Sequence, residues 1–587
     1  MSVTATTESE VESGHGHGPI KQVDEKTAPE DWTVSQVENI PADVPTEDVV
    51  TAKTWLVVMT ITSCYGFAYS SMPGLAITQA QIAEEFGVTA ESTWMVSVYF
   101  ITGLVAFMIC GPNSDLFGRR WFLISGNLFV VVGYIVAGTA KHFTQIVVGM
   151  AIAGVGGAIC QMATFAAPEL LPNKWRPMAV TITDSVVVVA CTVVPVAARY
   201  SLKHKTWPWL LYTGVIGNGI GAIILFLFYF PPKHPRGLSF QEALKQLDYV
   251  GSLLFSAAAV LILVGVVFAS YLNSTDPKVI GTLVSGFAAL VGFACWETWA
   301  PLKQPLTPPA LFKVHRGQTL TAPFIVAFMV PVYYLGTNIV WGQIVNAIFS
   351  PGEPSSPLAM ELSIVQGFGM ITGGVLLSTL GMWIKHWKWQ QLVIVTIMTL
   401  FGGLMALASP DRKSSLIAFN FFGSVAFAWA QFLSITYCQF GAPQTQLGIA
   451  GSLAGVGRFG GNCIATTVYV TVINKSLAKA ALKKVINAVL AAGGTRAMGQ
   501  AVLAALPAGS KAVMSVPNVT PAIAAAAGAA YTDSLIVAIR TVALVSIAFG
   551  GVGMVACLWC EDIGPKMDRH IEVFLENDVQ AVKNKNH

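Results

Sequence analysis

The segment Gly111-Pro-Asn-Ser-Asp-Leu-Phe-Gly-Arg-Arg120 decides the fold of this chain. It joins two apolar runs, 92–112 and 121–140, which are both about as long as a membrane-spanning helix needs to be. The segment contains one acid, a glycine where the chain can turn, and two consecutive arginines. Because Lys and Arg are enriched in cytoplasmic loops, it indicates a helical hairpin whose tip lies on the cytoplasmic side of a membrane.

The composition indicates that most of the chain lies in a membrane. Hydrophobic residues make up 54% of the 587 residues, charged residues make up 11%, and the mean hydropathy is +0.62. Soluble proteins carry about 25% charged residues. The first 50 residues hold 11 of the 31 acids and lack apolar periodicity, so we predict a disordered tail there. They show no basic start followed by an apolar core, and we expect no cleaved signal peptide.

Fourteen apolar runs are long enough to span a bilayer, which predicts that both termini lie on the same side. The proposed inner loops are richer in Lys and Arg than the short outer loops, which places the termini in the cytoplasm. The sequence has no G-x-x-x-x-G-K-[ST] loop and no nucleophile–base set, so we expect neither an ATP-driven pump nor an enzyme. Two sequons in outer loops, at Asn273 and Asn518, are candidates for glycosylation.

The 111–120 loop resembles the motif that major facilitator transporters carry between their second and third spans. The resemblance implies an all-α membrane protein in which two six-helix halves bind a substrate between them. Fourteen spans imply an additional, inserted helix pair. The implied domains are a disordered cytoplasmic tail 1–52, an N-terminal half 53–230, cytoplasmic loops and the inserted pair 231–317, a C-terminal half 318–560 that includes an outer amphipathic loop 475–532, and a cytoplasmic tail 561–587.

A narrower resemblance rests on three strings: Pro168-Glu-Leu-Leu-Pro-Asn-Lys-Trp-Arg176, Phe230-Pro-Pro-Lys-His-Pro-Arg-Gly237 and Leu247-Asp-Tyr-Val-Gly251. They resemble the fungal fourteen-span group that contains trichothecene efflux pumps and siderophore-iron transporters. The first string is more similar to the trichothecene-pump branch, and we expect its Lys174 and Arg176 to face lipid headgroups. The resemblance covers about 53–575 and implies a fungal source.

The resemblance also implies that the first loop belongs to an inner gate. In that role Gly111 would allow close helix packing and Gly118 would permit the tight turn. Asp115 could pair with a nearby arginine or with the N-terminus of a facing helix and so hold the gate shut. We expect Arg119 and Arg120 to belong to this gate motif and to anchor the topology. The alternative is that the whole loop is only a topology anchor.

Charged side chains inside spans are costly and are therefore candidates for function. Asp184 and Arg458 lie on the fifth helix of each half, so we expect them to face each other across the interface. A proton-sensitive carboxylate near a cation would suit coupling, whereas a fixed structural pair is the alternative. Arg540 and Glu361 lie near the outer ends of spans fourteen and ten and are further candidates.

Uncharged polar side chains inside spans are candidates for lining the substrate pathway. Tyr65 and Tyr69 stand four residues apart and share a helix face. Aromatic rings with scattered amides suit a bulky, weakly polar ligand, although each such residue alone is more often a contact between helices. The amide candidates are Gln161, Asn338, Gln343, Asn420 and Gln431.

The segment 475–532 carries six basic residues and no acid. An apolar stripe at helical spacing runs through it, formed by Leu482, Val485, Ile486, Val489 and Leu490. This pattern predicts an amphipathic helix on the outer membrane surface. The alternative is an outer lid that recruits acidic or metal-chelate substrates, since siderophore transporters carry a comparable outer loop.

These observations favour proton-coupled export of a fungal toxin, secondary metabolite or xenobiotic, at the plasma membrane or else at a vacuolar or vesicular membrane. Siderophore-iron uptake by proton symport is the alternative that the long basic outer loop favours. A non-transporting sensor would need signalling domains, which the two tails do not contain. We expect a small-molecule substrate, protons and the bilayer as partners, a monomeric chain, and no cofactor, metal ion or nucleic acid.

Overall fold

The structure is a computed structural model that describes residues 50–88, 91–231, 240–273, 275–350, 356–443, 446–506, 513–568, 571 and 573–578. Within these ranges the chain forms helices and no strand. Of the two predicted tails, residues 1–49 and 579–587 lie outside the described part of the chain.

The first part of the chain forms helices α1 (Ala52–Tyr69), α2 (Ser71–Glu85), α3 (Trp94–Phe117), α4 (Arg119–Gly138), α5 (Phe143–Gln161), α6 (Ala163–Ala166), α7 (Arg176–Lys203), α8 (Trp209–Phe228), α9 (Phe240–Gln246), α10 (Tyr249–Tyr271) and α11 (Pro277–Trp299). The helix starts follow from capping chemistry. The hydroxyl of Thr51 accepts a hydrogen bond from the Thr54 amide at the start of α1, and Asp248 accepts one from the Gly251 amide at the start of α10.

The second part forms α12 (Pro309–Lys313), α13 (Thr321–Ile344), α14 (Pro357–Leu376), α15 (Met382–Ile384), α16 (Trp387–Leu404), α17 (Lys413–Gln439), α18 (Leu447–Ala491), α19 (Arg496–Ala505) and α20 (Pro521–Trp559). Single π turns extend α13 through Phe349 and join α14 to α15. Thr520 caps α20 by accepting a hydrogen bond from the Ile523 amide, and Pro521 occupies the first helical position.

Twelve helical segments of the described chain are long and apolar enough to cross a membrane, which confirms an all-α, multi-pass membrane fold. Each of them overlaps one of the fourteen predicted spans. The other two predicted spans correspond to α1 with α2 and to α18. The first is interrupted at Ser70, and the second mixes polar with apolar residues along its length. The count of fourteen therefore stays a prediction.

The helices form two groups and a separate hairpin. Helices α1, α3, α4, α5, α7 and α8 pack together as the N-terminal half, and α13, α14, α16, α17, α18 and α20 as the C-terminal half. Across the interface α3 packs on α18 and α7 packs on α14. Helices α10 and α11 pack mainly on each other, and α10 also touches α3 and α18. The arrangement matches two halves and an inserted pair.

The predicted amphipathic helix within 475–532 is a continuation of α18, and its place on the outer membrane surface stays a prediction. Helix α18 continues without a break to Ala491, since no proline interrupts it, and the chain turns only at Gly493 with φ +87°. The predicted apolar stripe instead packs on α19 and α20: Val485 and Val489 are buried in one cluster with Val502 and Ile523. Stripe residues Leu482 and Leu490 remain exposed. We call residues 474–506 and 513–532 the outer cap.

Glycines set the close contact between α4 and α5. A methyl group on Gly156 would lie 2.5 Å from the Gly126 carbonyl oxygen and 2.6 Å from the Val130 amide nitrogen. We therefore expect Gly156→Ala to destabilise the protein by about 1–3 kcal/mol through overpacking. The matched control is Gly219→Ala, because a methyl group there meets nothing within 4 Å apart from its chain neighbours and the backbone of its own helix.

Thermal melting of both variants in detergent checks this expectation. Gly219→Ala gains up to about 1 kcal/mol of helix propensity without a clash and should melt at or above the wild-type temperature. Gly156→Ala should melt several degrees lower. Equal melting temperatures for the two alanine variants would show that α4 and α5 can move apart at little cost.

Candidate functional site

A buried ion pair lies at the contact between the two halves. The guanidinium of Arg458 on α18 donates hydrogen bonds to both carboxylate oxygens of Asp184 on α7, at 3.1 and 3.2 Å. The Asp184 side chain is fully buried, and 16% of the Arg458 side chain is exposed. The predicted meeting of these residues is confirmed. A charge pair removed from water is costly unless the two partners hydrogen-bond each other, as Asp184 and Arg458 do.

Two tyrosines of α1 lie beside this pair. The Tyr65 hydroxyl interacts with the Asp184 carboxylate. Tyr69 lies near both the Asp184 carboxylate and the Arg458 guanidinium. Their shared helix face therefore points at the ion pair, as their spacing predicts. An aromatic chain continues from Tyr69 to Phe100, with ring centroids 6.3 Å apart, and from Phe100 to Phe459, at 5.8 Å.

The C-terminal half contributes an aromatic stack that the sequence analysis missed. The rings of Tyr334 and Phe427 lie parallel, with centroids 3.7 Å apart. The Tyr334 hydroxyl interacts with the amide of Asn338. Across the interface, Tyr334 lies near Tyr69. The missed signal was the spacing, because Tyr334 precedes the predicted candidate Asn338 by four residues and shares its face.

The remaining uncharged candidates divide into buried and exposed residues. Gln431 is fully buried four residues after Phe427, and neither polar atom of its amide has a hydrogen-bond partner in the described part of the chain. Asn420 is buried beside Tyr334, and its amide nitrogen also lacks a partner there. Gln161 is buried near the end of α5. An unpaired buried amide costs free energy, so Gln431 is a strong candidate for a ligand or water contact.

Three candidates lie away from this centre. Arg540 is exposed and donates a hydrogen bond to the Ala406 carbonyl at 3.2 Å. Glu361 is exposed in a shallow groove of about 560 Å³ between α14 and α17. Gln343 is exposed near the end of α13. The structure therefore does not bring them to the Asp184–Arg458 pair.

A second polar site lies at the end of the bundle that the sequence predicts to be cytoplasmic. The Gly448 amide, at the N-terminus of α18, donates to both oxygens of Asp115 at 2.9 and 3.1 Å. A carboxylate is stabilised at a helix N-terminus. The approach is close because Gly448 has no side chain and because a methyl group on Gly111 would lie 2.5 Å from Ser452. Gly118 has φ +83° and ends α3, as predicted.

Arg119 is part of this site, and its role as a topology anchor stays a prediction. Its guanidinium is buried, lies 3.3 Å from Asp115 and forms an ion pair with Glu169. It also lies over the ring of Phe165, 4.9 Å from the centroid. A buried guanidinium needs such partners, because an uncompensated charge there would cost several kcal/mol. Glu169 was missed, although it belongs to the quoted 168–176 string.

The other basic residues of these strings behave differently from one another. Arg176 is buried over the ring of Phe440 at 4.6 Å, so the prediction that it faces headgroups is wrong. Its long side chain finds an aromatic face inside the protein instead. The Arg120 guanidinium lies over the ring of Phe230, 3.8 Å from the ring centroid. The sequon residues Asn273 and Asn518 are both exposed; their glycosylation stays a prediction.

These two sites, placed between two halves of a multi-pass helical bundle, define a membrane transporter of the major facilitator class. A solved structure of the proton:xylose symporter XylE is similar in fold, with a TM-score of 0.50 at 13% identity, and the match covers 92% of this chain and all of that one. The sequence profile of the fungal trichothecene efflux pump family (TRI12) matches residues 21–585. The chain belongs to this family.

Two relatives show the range of similarity. The MFS-type transporter prx5 of Penicillium rubens is 37% identical over 529 residues, which cover 90% of this chain and 94% of the relative. The trichothecene efflux pump TRI12 of Fusarium sporotrichioides is 26% identical over 510 residues, covering 86% of this chain and 85% of the pump. The predicted superfamily and fungal group are confirmed, and the protein is a transporter rather than an enzyme.

Proposed function

We propose that the protein exports a fungal toxin, secondary metabolite or xenobiotic in exchange for protons. The observation that carries this proposal is the buried Asp184–Arg458 pair at the contact between the halves, surrounded by aromatic rings. The relative named as a trichothecene efflux pump supports the outward direction. The proposed substrate is bulky and weakly polar, because Tyr65, Tyr69 and the Tyr334–Phe427 stack offer broad ring faces.

Asp184 is the proposed proton carrier. When it is ionised, its two oxygens hold the Arg458 guanidinium. A proton on Asp184 removes that charge and weakens both hydrogen bonds, so the substrate contacts that depend on the ionised pair are weakened as well. Proton and substrate then occupy the site in turn and not together, which is the requirement for exchange.

The Asp115 site is the proposed inner gate. Asp115 and Gly448 join α3 of one half to α18 of the other, and these contacts close the cytoplasmic end. Entry of a substrate from the cytoplasm requires them to break. Arg119 and Glu169 hold the Asp115 carboxylate in position from the N-terminal half.

The proposal includes a topology and a location. We propose fourteen spans with both termini in the cytoplasm, and a monomeric state. The proposed domain boundaries lie at residues 53, 231, 318 and 561. The plasma membrane is the proposed location, because a toxin must leave the cell. Asn273 and Asn518 would then face the exterior as glycosylation acceptors.

Collapse of the proton gradient should stop export while cellular ATP is maintained. One charge moved per cycle across 100 mV is worth about 2.3 kcal/mol, enough for a substrate gradient of about 50-fold. With a protonophore present, we expect the intracellular amount of a trichothecene supplied to the cells to rise to the level in cells that lack the protein. Export that persists without a proton gradient would contradict the coupling.

Deletion of the gene tests the direction. Cells lacking the protein should retain more of an endogenous or added toxic metabolite than cells carrying it. The basic outer cap keeps uptake of ferric siderophores as the second candidate. Normal retention of metabolites together with failure to grow on ferric siderophore as the sole iron source would establish uptake instead of export.

A further inference from the structure

The chain returns to the N-terminal half after its last membrane helix. Residues 561–566 contact the C-terminal half: the Glu561 amide donates to the Gln318 carbonyl at 3.3 Å, and the Lys566 ammonium donates to the Phe440 carbonyl at 3.3 Å. Partial burial opposes ionisation of Glu561, but His315 and Lys566 lower its pKa below the usual value. Residues 561–566 are therefore held to the C-terminal half by hydrogen bonds and by the interactions of charged side chains.

Beyond residue 566, Asp568 and residues 573–578 contact the N-terminal half, and we call these residues the strap. The Asp568 carbonyl accepts a hydrogen bond from the Lys174 amide at 2.7 Å, and its carboxylate accepts one from the Asn173 amide group at 2.9 Å. Further along, the Val573 amide donates to the carbonyl of Glu169 at 3.2 Å. The strap thus lies directly on the loop that supplies Glu169 to the inner gate.

The far end of the strap is also fixed. Leu575 is 1% exposed and belongs to the hydrophobic core of the N-terminal half. The Glu576 amide donates to the Phe230 carbonyl at 2.8 Å, and the Asp578 carboxylate accepts a hydrogen bond from the Thr54 hydroxyl at 3.2 Å. Because the buried Leu575 has polar contacts on both sides of it, the strap is fixed in one position on the N-terminal half.

The geometry points to a latch: we infer that the strap must leave the N-terminal half whenever the transporter opens to the cytoplasm. Lys566 is bound to one half and Asp568 to the other, and two residues of extended chain reach only about 7 Å. The backbone between the two attachments is therefore short, and a separation of the two halves at this end beyond its reach has to break one of them. The strap therefore adds its contacts to the closed state of the inner gate, alongside Asp115.

This inference rests on the proposed transport cycle, but it can be tested without a substrate. The reporter is Cys438, a native cysteine that is completely buried against the N-terminal half at the same end of the bundle. The neighbouring Gln439 amide donates to the Thr164 carbonyl across the interface. Alkylation of Cys438 by N-ethylmaleimide, followed by peptide mass spectrometry, measures how often the cytoplasmic end opens.

Loosening the strap should speed alkylation. Asn173→Ala removes one hydrogen bond to Asp568, and we expect Cys438 to react about fivefold faster, as for the loss of one ordinary hydrogen bond. The matched control is Lys174→Ala, whose side chain lies on Trp175 and whose backbone bond to Asp568 is retained. The control should react at the wild-type rate.

Locking the strap should have the opposite effect. In Asn173→Cys combined with Asp568→Cys, an oxidant should form a disulfide, confirmed by mass spectrometry, and Cys438 alkylation should fall at least about tenfold, returning with reductant. Each single-cysteine variant controls for the oxidant. An unchanged Cys438 rate in the locked protein would overturn the inference; if the disulfide does not form, equal rates for Asn173→Ala and Lys174→Ala would overturn it. Neither result depends on which solute is carried or on the gradient that drives it.

Discussion

Replacing Asp184 with Asn should abolish gradient-driven export, with a fall of at least about 100-fold in the rate at which cells clear the substrate. Asn cannot release and rebind a proton at physiological pH, so the step that links proton movement to Arg458 is lost. Exchange of substrate across the membrane without a gradient should survive, since it does not need a proton to be exchanged. Reconstituted vesicles with an imposed pH gradient measure both activities in one preparation.

A structural effect has to be separated from this coupling effect. Asp184→Asn leaves Arg458 as an unpaired charge in a mostly buried position, which costs about 3–5 kcal/mol and lowers abundance. Removing both charges in Asp184→Asn combined with Arg458→Gln should restore abundance, because no unpaired charge remains. The double variant should still fail to use the gradient. If it exports normally, the pair is structural and the proton is carried elsewhere.

Asp184→Glu is the matched control for the carboxylate. It keeps a titratable group one methylene farther from the backbone, in a site that is fully buried. We expect reduced but gradient-dependent export, because the proton site remains while the geometry of the contact with Arg458 changes. A complete loss in both Asp184→Glu and Asp184→Asn would assign the defect to shape rather than to proton binding.

Asp115→Asn should shift the inner gate toward its open state and slow turnover about tenfold. The carboxylate on the N-terminus of α18 is worth up to about 2 kcal/mol in a buried setting, and the amide loses most of that. In the proposed cycle the contact exists only when the gate is closed, so its loss changes the balance between two conformations rather than the substrate site. Substrate affinity in detergent should therefore stay close to that of the wild type.

Asp276→Asn provides the matched substitution. Asp276 is a half-buried N-cap of α11, and Asn caps a helix as well as Asp does, so turnover should not change. Glu169→Gln should resemble Asp115→Asn in direction, since it leaves the buried guanidinium of Arg119 with a single charged partner. Normal turnover of Asp115→Asn at wild-type abundance would reduce the loop to a topology anchor.

The sequence predicted those features that follow from periodicity, symmetry and the cost of charge in a membrane. Asp184 and Arg458 could be paired in advance because equivalent helices of two halves face each other. Asp115 was expected to pair with a nearby arginine or with a facing helix N-terminus, because an acid at the end of an apolar hairpin needs a partner, and it contacts both. Neither prediction required knowledge of side-chain packing.

The contacts that sequence reasoning missed join segments far apart in the chain. Arg119 forms a buried ion pair with Glu169, which lies 50 residues later in the chain and was not predicted as its partner. Arg176 was expected to face lipid headgroups, but it packs on the ring of Phe440. The length of α18 was underestimated because its polar outer part was interpreted as the end of a span, whereas its apolar stripe packs on α19 and α20.

Helix α18 unites three positions that are usually treated as separate. Gly448 at its start contacts Asp115, and Arg458 three turns later contacts Asp184. The rest of its 45 residues continues into the outer cap. At 1.5 Å per residue it is a rod of about 68 Å, more than twice the thickness of the hydrocarbon layer. Such a rod acts as a lever arm: a tilt of about 5° about its inner end displaces its outer tip by about 6 Å. In the proposed topology the outer cap faces away from the cytoplasm, so its position reports the state of the proposed inner gate, and an antibody fragment bound to the cap would restrain that gate from the opposite side of the membrane.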